Sequence, residues 1–255
     1  MGRISGRAAC GVPMSDGEAL LSVILAQPDE DVPRLVYADW LDENGTESDR
    51  ARAEFVRVQV ALAGVGPTEL VPWNQPVVAQ RGREKLLLAA HGANWLAPLR
   101  APGGPLQSEA THGQFRRGFV EVVWMPAAWF AVRADVLFAR VPVRELRVTR
   151  ATAEELAALV AHGHFPRLRS LELSDQRLGD SVALVLTRQP AVAALTRLRL
   201  RGCGLTDAGA CRLADADFDW PLRELDVSLN SLSPYGVAAL RARFGEAIVC
   251  TTGAE

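Results

Sequence analysis

The chain has 255 residues, of which 49% are hydrophobic and 23% charged, and its net charge at pH 7 is −2. This balance is that of an ordinary globular protein with one large domain or two modest ones, and it excludes a global attraction to nucleic acid or anionic lipid. The charge is uneven, because residues 14–64 carry eleven acids and four arginines. No apolar run reaches the ~18 residues of a membrane span. Four widely spaced cysteines without a C-x-x-C pair favour a reducing, cytoplasmic location.

The first thirteen residues contain two arginines but no apolar stretch, so they do not form a signal peptide. Ser15 and Glu18 then form an S-x-x-E capping box before an apolar run, which predicts a helix over 16–26. We therefore expect either that Met14 is the natural start or that residues 1–13 are a disordered leader.

Two more helices are predicted in the acidic segment. The first covers 32–43, with Asp31 before it and Asn44 and Gly45 at its end, and the second covers about 49–63. On the first of these helices Leu35, Val36, Trp40 and Leu41 share an apolar sector, which predicts that Trp40 and its neighbour Tyr37 build a small helical core. The acids then lie on the surface, where Arg50, Arg52 and Arg57 can pair with them.

The segment between these helices and residue 118 is predicted to contain a connection, a helix and a loop. Residues 65–76 read as a proline-containing connection, about 77–91 as a helix, and the Gly/Pro-rich residues 97–117 as a mobile loop. Residues 118–139 follow as one strand and one helix, with Val120, Val123 and Met125 facing the core and Trp124 facing the opposite side of the sheet.

Four segments downstream share one pattern, L-x-x-L-x-L-x-x-(N/C)-x-L with some substitutions. Their fourth positions are Leu146, Leu171, Leu198 and Leu225, at steps of 25, 27 and 27 residues. A helix start follows each segment, as in the capping box of Thr152 and Glu155. The segments are "VRELRVTRATA" (143–153), "LRSLELSDQRL" (168–178), "LTRLRLRGCGL" (195–205) and "LRELDVSLNSL" (222–232).

This pattern resembles the leucine-rich repeat of the ribonuclease-inhibitor-like type, and Gln176, Cys203 and Asn230 occupy its ninth position. The resemblance implies an α/β solenoid over 118–255, with a parallel sheet on the concave side, helices on the convex side, and a closing strand at 246–250. Cys203 is then a structural turn residue rather than a nucleophile.

A second resemblance covers residues 15–63. "DEDVPRLVYADWLDENG" followed by "RAEFVRVQVAL" is similar to the bacterial repeat-companion domain, a short module that precedes leucine-rich-type repeats. It implies a helical cap over 14–64, joined to the solenoid through the connecting helix and loops of 65–117. It implies no activity.

The repeat pattern also predicts which side chains of the solenoid face the open side of the sheet, because strand residues alternate between two faces. Arg147, Glu172, Arg199 and Asp226 then form one row with alternating charge, which either neutralises itself or serves as a binding surface. The candidate protein-binding residues are Trp124, Glu145, Arg147, Glu172, Arg197, Arg199, Arg201, Glu224 and Asp226.

The sequence thus favours a non-catalytic protein-binding module, monomeric on its own, whose partner offers an acidic segment. No nucleotide-binding or hydrolase motif occurs, and His162 and His164 supply at most two metal ligands, so neither cofactor nor metal is expected. Two alternatives stay open. One is an enzyme or effector with a site around Tyr37, Asp39 and Glu54, and the weaker one is nucleic-acid binding through Arg197, Arg199 and Arg201.

Overall fold

The computed structural model describes residues 15–65 and 75–250. The expectations for Met14, for the leader 1–13 and for most of the 65–76 connection lie outside these residues. Within them the chain is an α/β protein with nine α-helices and a seven-stranded, mostly parallel sheet. The elements are α1 Asp16–Ala26, α2 Val32–Asn44, α3 Glu47–Ala63, α4 Gln75–Arg100, β1 His112–Arg116, β2 Phe119–Met125, α5 Ala127–Phe138, β3 Glu145–Val148, α6 Ala153–Ala161, β4 Ser170–Glu172, α7 Ser181–Thr187, β5 Arg197–Arg199, α8 Asp207–Ala214, β6 Glu224–Asp226, α9 Pro234–Phe244 and β7 Ile248–Val249.

The strands lie in the sheet in the same order as in the chain, from β1 to β7. β1 pairs antiparallel with β2, and every later pair is parallel. The register pairs Val123 with Leu146, and then Leu146, Leu171, Leu198 and Leu225 with one another in turn. This confirms the alignment of the four segments and shows that β2 continues it. The closing strand is also present, since Ile248 pairs with Leu225.

The aligned leucines belong to one continuous apolar core. Each helix from α5 to α9 packs against its neighbour along one face of the sheet and contributes buried residues such as Leu159, Leu186 and Leu213 to that core. Val120, Val123 and Met125 are buried as predicted. The other face of the sheet carries the polar side chains of the strands, and we call it the open face.

The N-terminal helices agree with the predicted ones, with a shift at one end. α1 begins at Asp16 behind the predicted capping box of Ser15 and Glu18. α3 begins two residues earlier than predicted, because Thr46 and Asp49 form a capping box of their own. Asp31 precedes α2, but its side chain makes no capping hydrogen bond.

The prediction of a loop over 97–117 is wrong at both ends of that range. α4 continues to Arg100 through Pro98, and residues 112–116 form β1. Burial outweighs the Gly/Pro-rich composition here, because Leu99 and Leu106 enter the main core. The sheet therefore begins at residue 112, and a boundary at 118 would cut the β1–β2 hairpin in two.

Among the described residues, no helix combines the length and the apolar character that crossing a bilayer requires.

Candidate functional site

The open face carries the row of alternating charges that the repeat pattern predicts. The sheet register pairs Arg147 with Glu172, Glu172 with Arg199, and Arg199 with Asp226. Arg147 Nε lies 3.3 Å from Glu172 Oε2, and Arg199 Nη1 lies 3.5 Å from the same oxygen. Arg199 Nε also approaches Glu224 Oε1 at 2.7 Å. Most of this row is therefore neutralised by its own neighbours, and such half-exposed pairs add little stability.

Trp124 lies at the β2 end of this row, on the open face as predicted. It pairs with Arg147 in the sheet, and the guanidinium carbon of Arg147 lies 4.6 Å from the Trp124 ring centroid. This cation–π contact holds a half-buried aromatic ring beside the charged row. Arg201, farther along the face, is exposed.

Glu145 differs from its expected role as an exposed binding residue, because its side chain is only 2% exposed. Three arginines cover its carboxylate: Arg147 Nε lies 2.6 Å from Oε1, while Arg116 Nη1 and Arg197 Nη2 lie 3.0 and 3.4 Å from Oε2. Burial by itself raises the pKa of Glu145, but the charges of the three arginines outweigh it and hold that pKa below its ordinary value. Glu145 is therefore a buried anion that positions arginines.

A cleft of about 730 Å³ adjoins this group at the amino-terminal ends of the parallel strands. Six arginines and four carboxylates line it, which leaves a net charge of +2. The carboxylates are paired: Glu84 with Arg81, Asp29 with Arg144, Asp31 with Arg117, and Glu121 with Arg34 and Arg117. The six arginines are Arg81, Arg116, Arg117, Arg144, Arg169 and Arg197.

This cleft was missed by sequence reasoning, although a signal for it exists. The second position of the repeat pattern is arginine in three of the four segments, at Arg144, Arg169 and Arg223. Parallel strands in register bring such positions to one edge of the sheet. The Gly/Pro-rich composition of 97–117 predicts a loop for Arg116 and Arg117, and it does not indicate that they meet the same edge.

One wall of the cleft is the β1–β2 turn. Side chains of the N-terminal helices form hydrogen bonds to this turn. Arg117 and Gly118 form the two-residue turn with φ angles of +47° and +84°, as a type I′ hairpin requires. Gln59 Oε1 accepts a hydrogen bond from the Gly118 amide at 2.8 Å, and Arg52 donates to the Gly118 carbonyl. We call these contacts, together with the ion pairs of Arg34 and Arg117 to Glu121, the hairpin clamp.

Buried charge holds the hairpin clamp together. Arg34 Nη2 lies 2.7 Å from Glu121 Oε1, with both side chains almost completely buried. Burial raises the pKa of Glu121 and lowers that of Arg34 to about 10, although each group is the other's counter-ion. Arg117, in its unfavourable left-handed conformation, bonds both to Glu121 and to the Pro28 carbonyl. Those bonds offset the strain of the turn.

Arg52 does not pair with the acids of α2. Its guanidinium lies 4.8 and 4.9 Å from the ring centroids of Trp95 and Phe115, and burial lowers its pKa to about 10. Arg57 is the residue that pairs with the α2 acids, at 2.7 Å from Asp39 and 2.6 Å from Asp42.

The alternative enzyme site around Tyr37, Asp39 and Glu54 does not assemble. Tyr37 stacks on Trp40 at 6.1 Å and packs into the small helical core, as the structural interpretation predicted. Asp39 is exposed beside Arg57, whereas Glu54 pairs with Arg83 at 2.6 Å. The two carboxylates thus belong to separate surface ion pairs and share no pocket of those found in the described part of the chain.

Cys203 is buried, and its thiol donates a hydrogen bond to the Leu173 carbonyl at 3.0 Å. Burial raises the pKa of this thiol to about 11, so it stays protonated and a poor nucleophile. Across residues 15–65 and 75–250, no three His, Cys, Asp or Glu side chains gather in a way that could hold a metal ion.

Arginines that are paired with carboxylates and still reach solvent are thus concentrated on the open face and in the adjoining cleft. Comparison of the sequence with protein-family models and with curated proteins finds no match.

Proposed function

We propose that residues 118–250 form a leucine-rich-repeat solenoid of the ribonuclease-inhibitor-like type, preceded by a helical repeat-companion domain. The ninth position supports this in three of the four repeats, because its side chain bonds to the backbone of the preceding unit. Gln176 Nε2 donates to the Thr149 carbonyl at 3.1 Å, and Asn230 Nδ2 donates to the Leu200 carbonyl at 2.7 Å. The Cys203 thiol likewise donates to the carbonyl of Leu173 in the preceding unit. Such stacking of like units is the physical basis of a solenoid.

We infer that the protein is a non-catalytic, cytoplasmic interaction module that binds an acidic segment of another protein across the open face. The observation that carries this proposal is the set of arginines held in place by buried or half-buried carboxylates, with Trp124 beside them. Side chains fixed before binding lose little conformational entropy on binding. Arginine and tryptophan are also the residues that contribute most at interfaces.

Affinity purification followed by mass spectrometry tests this proposal. Arg199→Gln combined with Arg201→Gln removes two positive charges from the open face, and we expect at least a tenfold loss of the proteins recovered with the wild type. Arg188→Gln, on an exposed residue that follows α7 on the helical side, is the matched control and should keep that recovery. Equal recovery from the open-face variant and the wild type would show that the open face is not the binding surface.

A further inference from the structure

Arg116 and Arg197 come from distant parts of the chain and meet at one atom, Glu145 Oε2, at 3.0 and 3.4 Å. Glu145 is buried beneath them, whereas the two arginine side chains are 38% and 37% exposed. A buried carboxylate thus fixes two guanidinium groups that still reach solvent beside the cleft. Arg147 lies on the other carboxylate oxygen of Glu145 and is shared with Glu172, at 2.6 and 3.3 Å.

Two buried polar groups in this cluster make no hydrogen bond to the described residues. Ser170 is 1% exposed, and neither its hydroxyl nor the buried Nε of Arg197 makes a hydrogen bond within the described part of the chain. Ser170 lies between Glu145 and Arg197 in the sheet register, so its hydroxyl is on the same face as both. A buried hydroxyl without a protein partner costs free energy, and an anion that enters between the two arginines would supply an acceptor.

The residues that line the adjoining cleft carry a net charge of +2, which indicates the kind of anion. A phosphomonoester carries about −1.5 to −2 at pH 7 and three acceptor oxygens, whereas a carboxylate carries −1. Guanidinium groups bind phosphate oxygens in pairs through two parallel N–H bonds. The adjoining cleft of about 730 Å³ has room for the group and for the chain that bears it.

We propose that Arg116, Arg197 and Ser170, positioned by Glu145, bind the phosphoryl group of a phosphorylated segment in the partner protein. This inference depends on the proposed function, since it names the chemical group that anchors the acidic segment.

A protein segment fits this surface better than a nucleic acid does. Glu172, Glu224 and Asp226 interrupt the arginines along the open face, so a continuous phosphodiester backbone would cross carboxylates as often as guanidinium groups. The uncompensated positive charge is concentrated at one end of the strands, which suits a single phosphate group.

Fluorescence anisotropy with two labelled peptides tests the inference. The peptides share one Gly/Ala sequence and differ only in a central phosphoserine or glutamate. We expect the phosphoserine peptide to bind at least tenfold more tightly, and inorganic phosphate to displace it. Equal affinity of the two peptides, or no binding of either the phosphopeptide or inorganic phosphate at millimolar concentration, would overturn the phosphoryl site.

Ser170→Ala distinguishes a binding role from a structural one. It removes a hydroxyl that makes no hydrogen bond to residues 15–65 or 75–250, so the thermal midpoint should stay the same or rise, while the affinity for the phosphopeptide falls several-fold. Arg116→Gln should lower the affinity for the phosphopeptide more than Ser170→Ala does. Ser174→Ala, two residues beyond the end of β4, is the control and should leave both quantities unchanged. Unchanged phosphopeptide affinity in both Ser170→Ala and Arg116→Gln would contradict the inference.

A single-stranded RNA of the same length completes the experiment. Tighter binding of RNA than of phosphopeptide, with a steep dependence on salt, would replace the inference by nucleic-acid binding. Failure of the phosphoryl site alone leaves the proposed function standing, because recovery of partner proteins is judged with the separate variant at Arg199 and Arg201.

Discussion

The hairpin clamp and the open face use the same chemical pair at different depths. Arg34 and Glu121 in the clamp, and Arg199 and Glu224 on the open face, each approach to 2.7 Å. The clamp pair is 0% and 5% exposed, whereas the open-face pair is 31% and 30% exposed. The two pairs therefore differ in their contribution to stability although their distances are equal. Water screens the open-face pair and is excluded from the clamp pair.

Removing one partner from each pair should give the largest contrast. Glu121→Ala leaves the buried guanidinium of Arg34 without its counter-ion, and we expect it to lower the free energy of unfolding by about 3–5 kcal/mol. Glu224→Ala should cost only about 0–1 kcal/mol, because Arg199 stays hydrated. Urea denaturation of both variants measures the difference. Similar losses in the two variants would show that burial does not separate the two regions.

Glycine substitutions compare the turns of the two regions. A Cβ on Gly118, at φ +84°, would lie 2.5 Å from Val56 Cγ2 of α3, while one on Gly179, at φ +58°, would meet its nearest neighbour at 4.0 Å. Gly118→Ala therefore adds a steric clash to the backbone strain, and we expect a loss of about 2–4 kcal/mol in unfolding free energy. Gly179→Ala carries the strain alone, about 1–2 kcal/mol. Thermal denaturation measures both losses, and similar losses would show that α3 moves aside and relieves the clash.

The smallest effect should be a difference in pH dependence between Glu121 and Glu145. The pKa of Glu145 is lowered in the folded protein, so its stabilising contribution is present above 4.5 and is lost as the pH falls through the lowered value. The pKa of Glu121 is raised, so its contribution is present below 4.5 and is lost as the pH rises through the raised value.

Unfolding free energies measured from pH 3 to pH 7 test this contrast. Glu145→Gln should flatten the acid side of the stability curve, while Glu121→Gln should flatten the side above pH 4.5. If both variants change the same side of the curve, the opposing electrostatic environments assigned to the two carboxylates are wrong.

Local patterns in the sequence were enough to predict several elements. The capping box at Ser15 placed the start of α1, and the leucine spacing placed Leu146, Leu171, Leu198 and Leu225 in register on four neighbouring strands. Such features depend on hydrogen bonds within one turn and on an apolar period, both of which can be read from the chain.

Other features could not be read in this way. β1 has one strongly buried residue, Phe115, and stands within a Gly/Pro-rich segment, so its pairing with β2 depends on burial supplied by distant residues. The burial of Glu145 depends equally on Arg116, which reaches it from β1. Arg116 and Glu145 are 29 residues apart in the sequence, so no local pattern links them.

The sequence by itself determined the period of the repeats, the helices that begin at capping boxes, and the alternation of charge on the open face, because each is set by neighbours along the chain or by a fixed spacing. Only the tertiary structure decided that α2 and α3 grip a hairpin, that Glu145 is a buried anion, and that arginines from several strands and the hairpin line one cleft. Those features depend on which distant side chains exclude water from one another, and that depends on the packing of the whole chain.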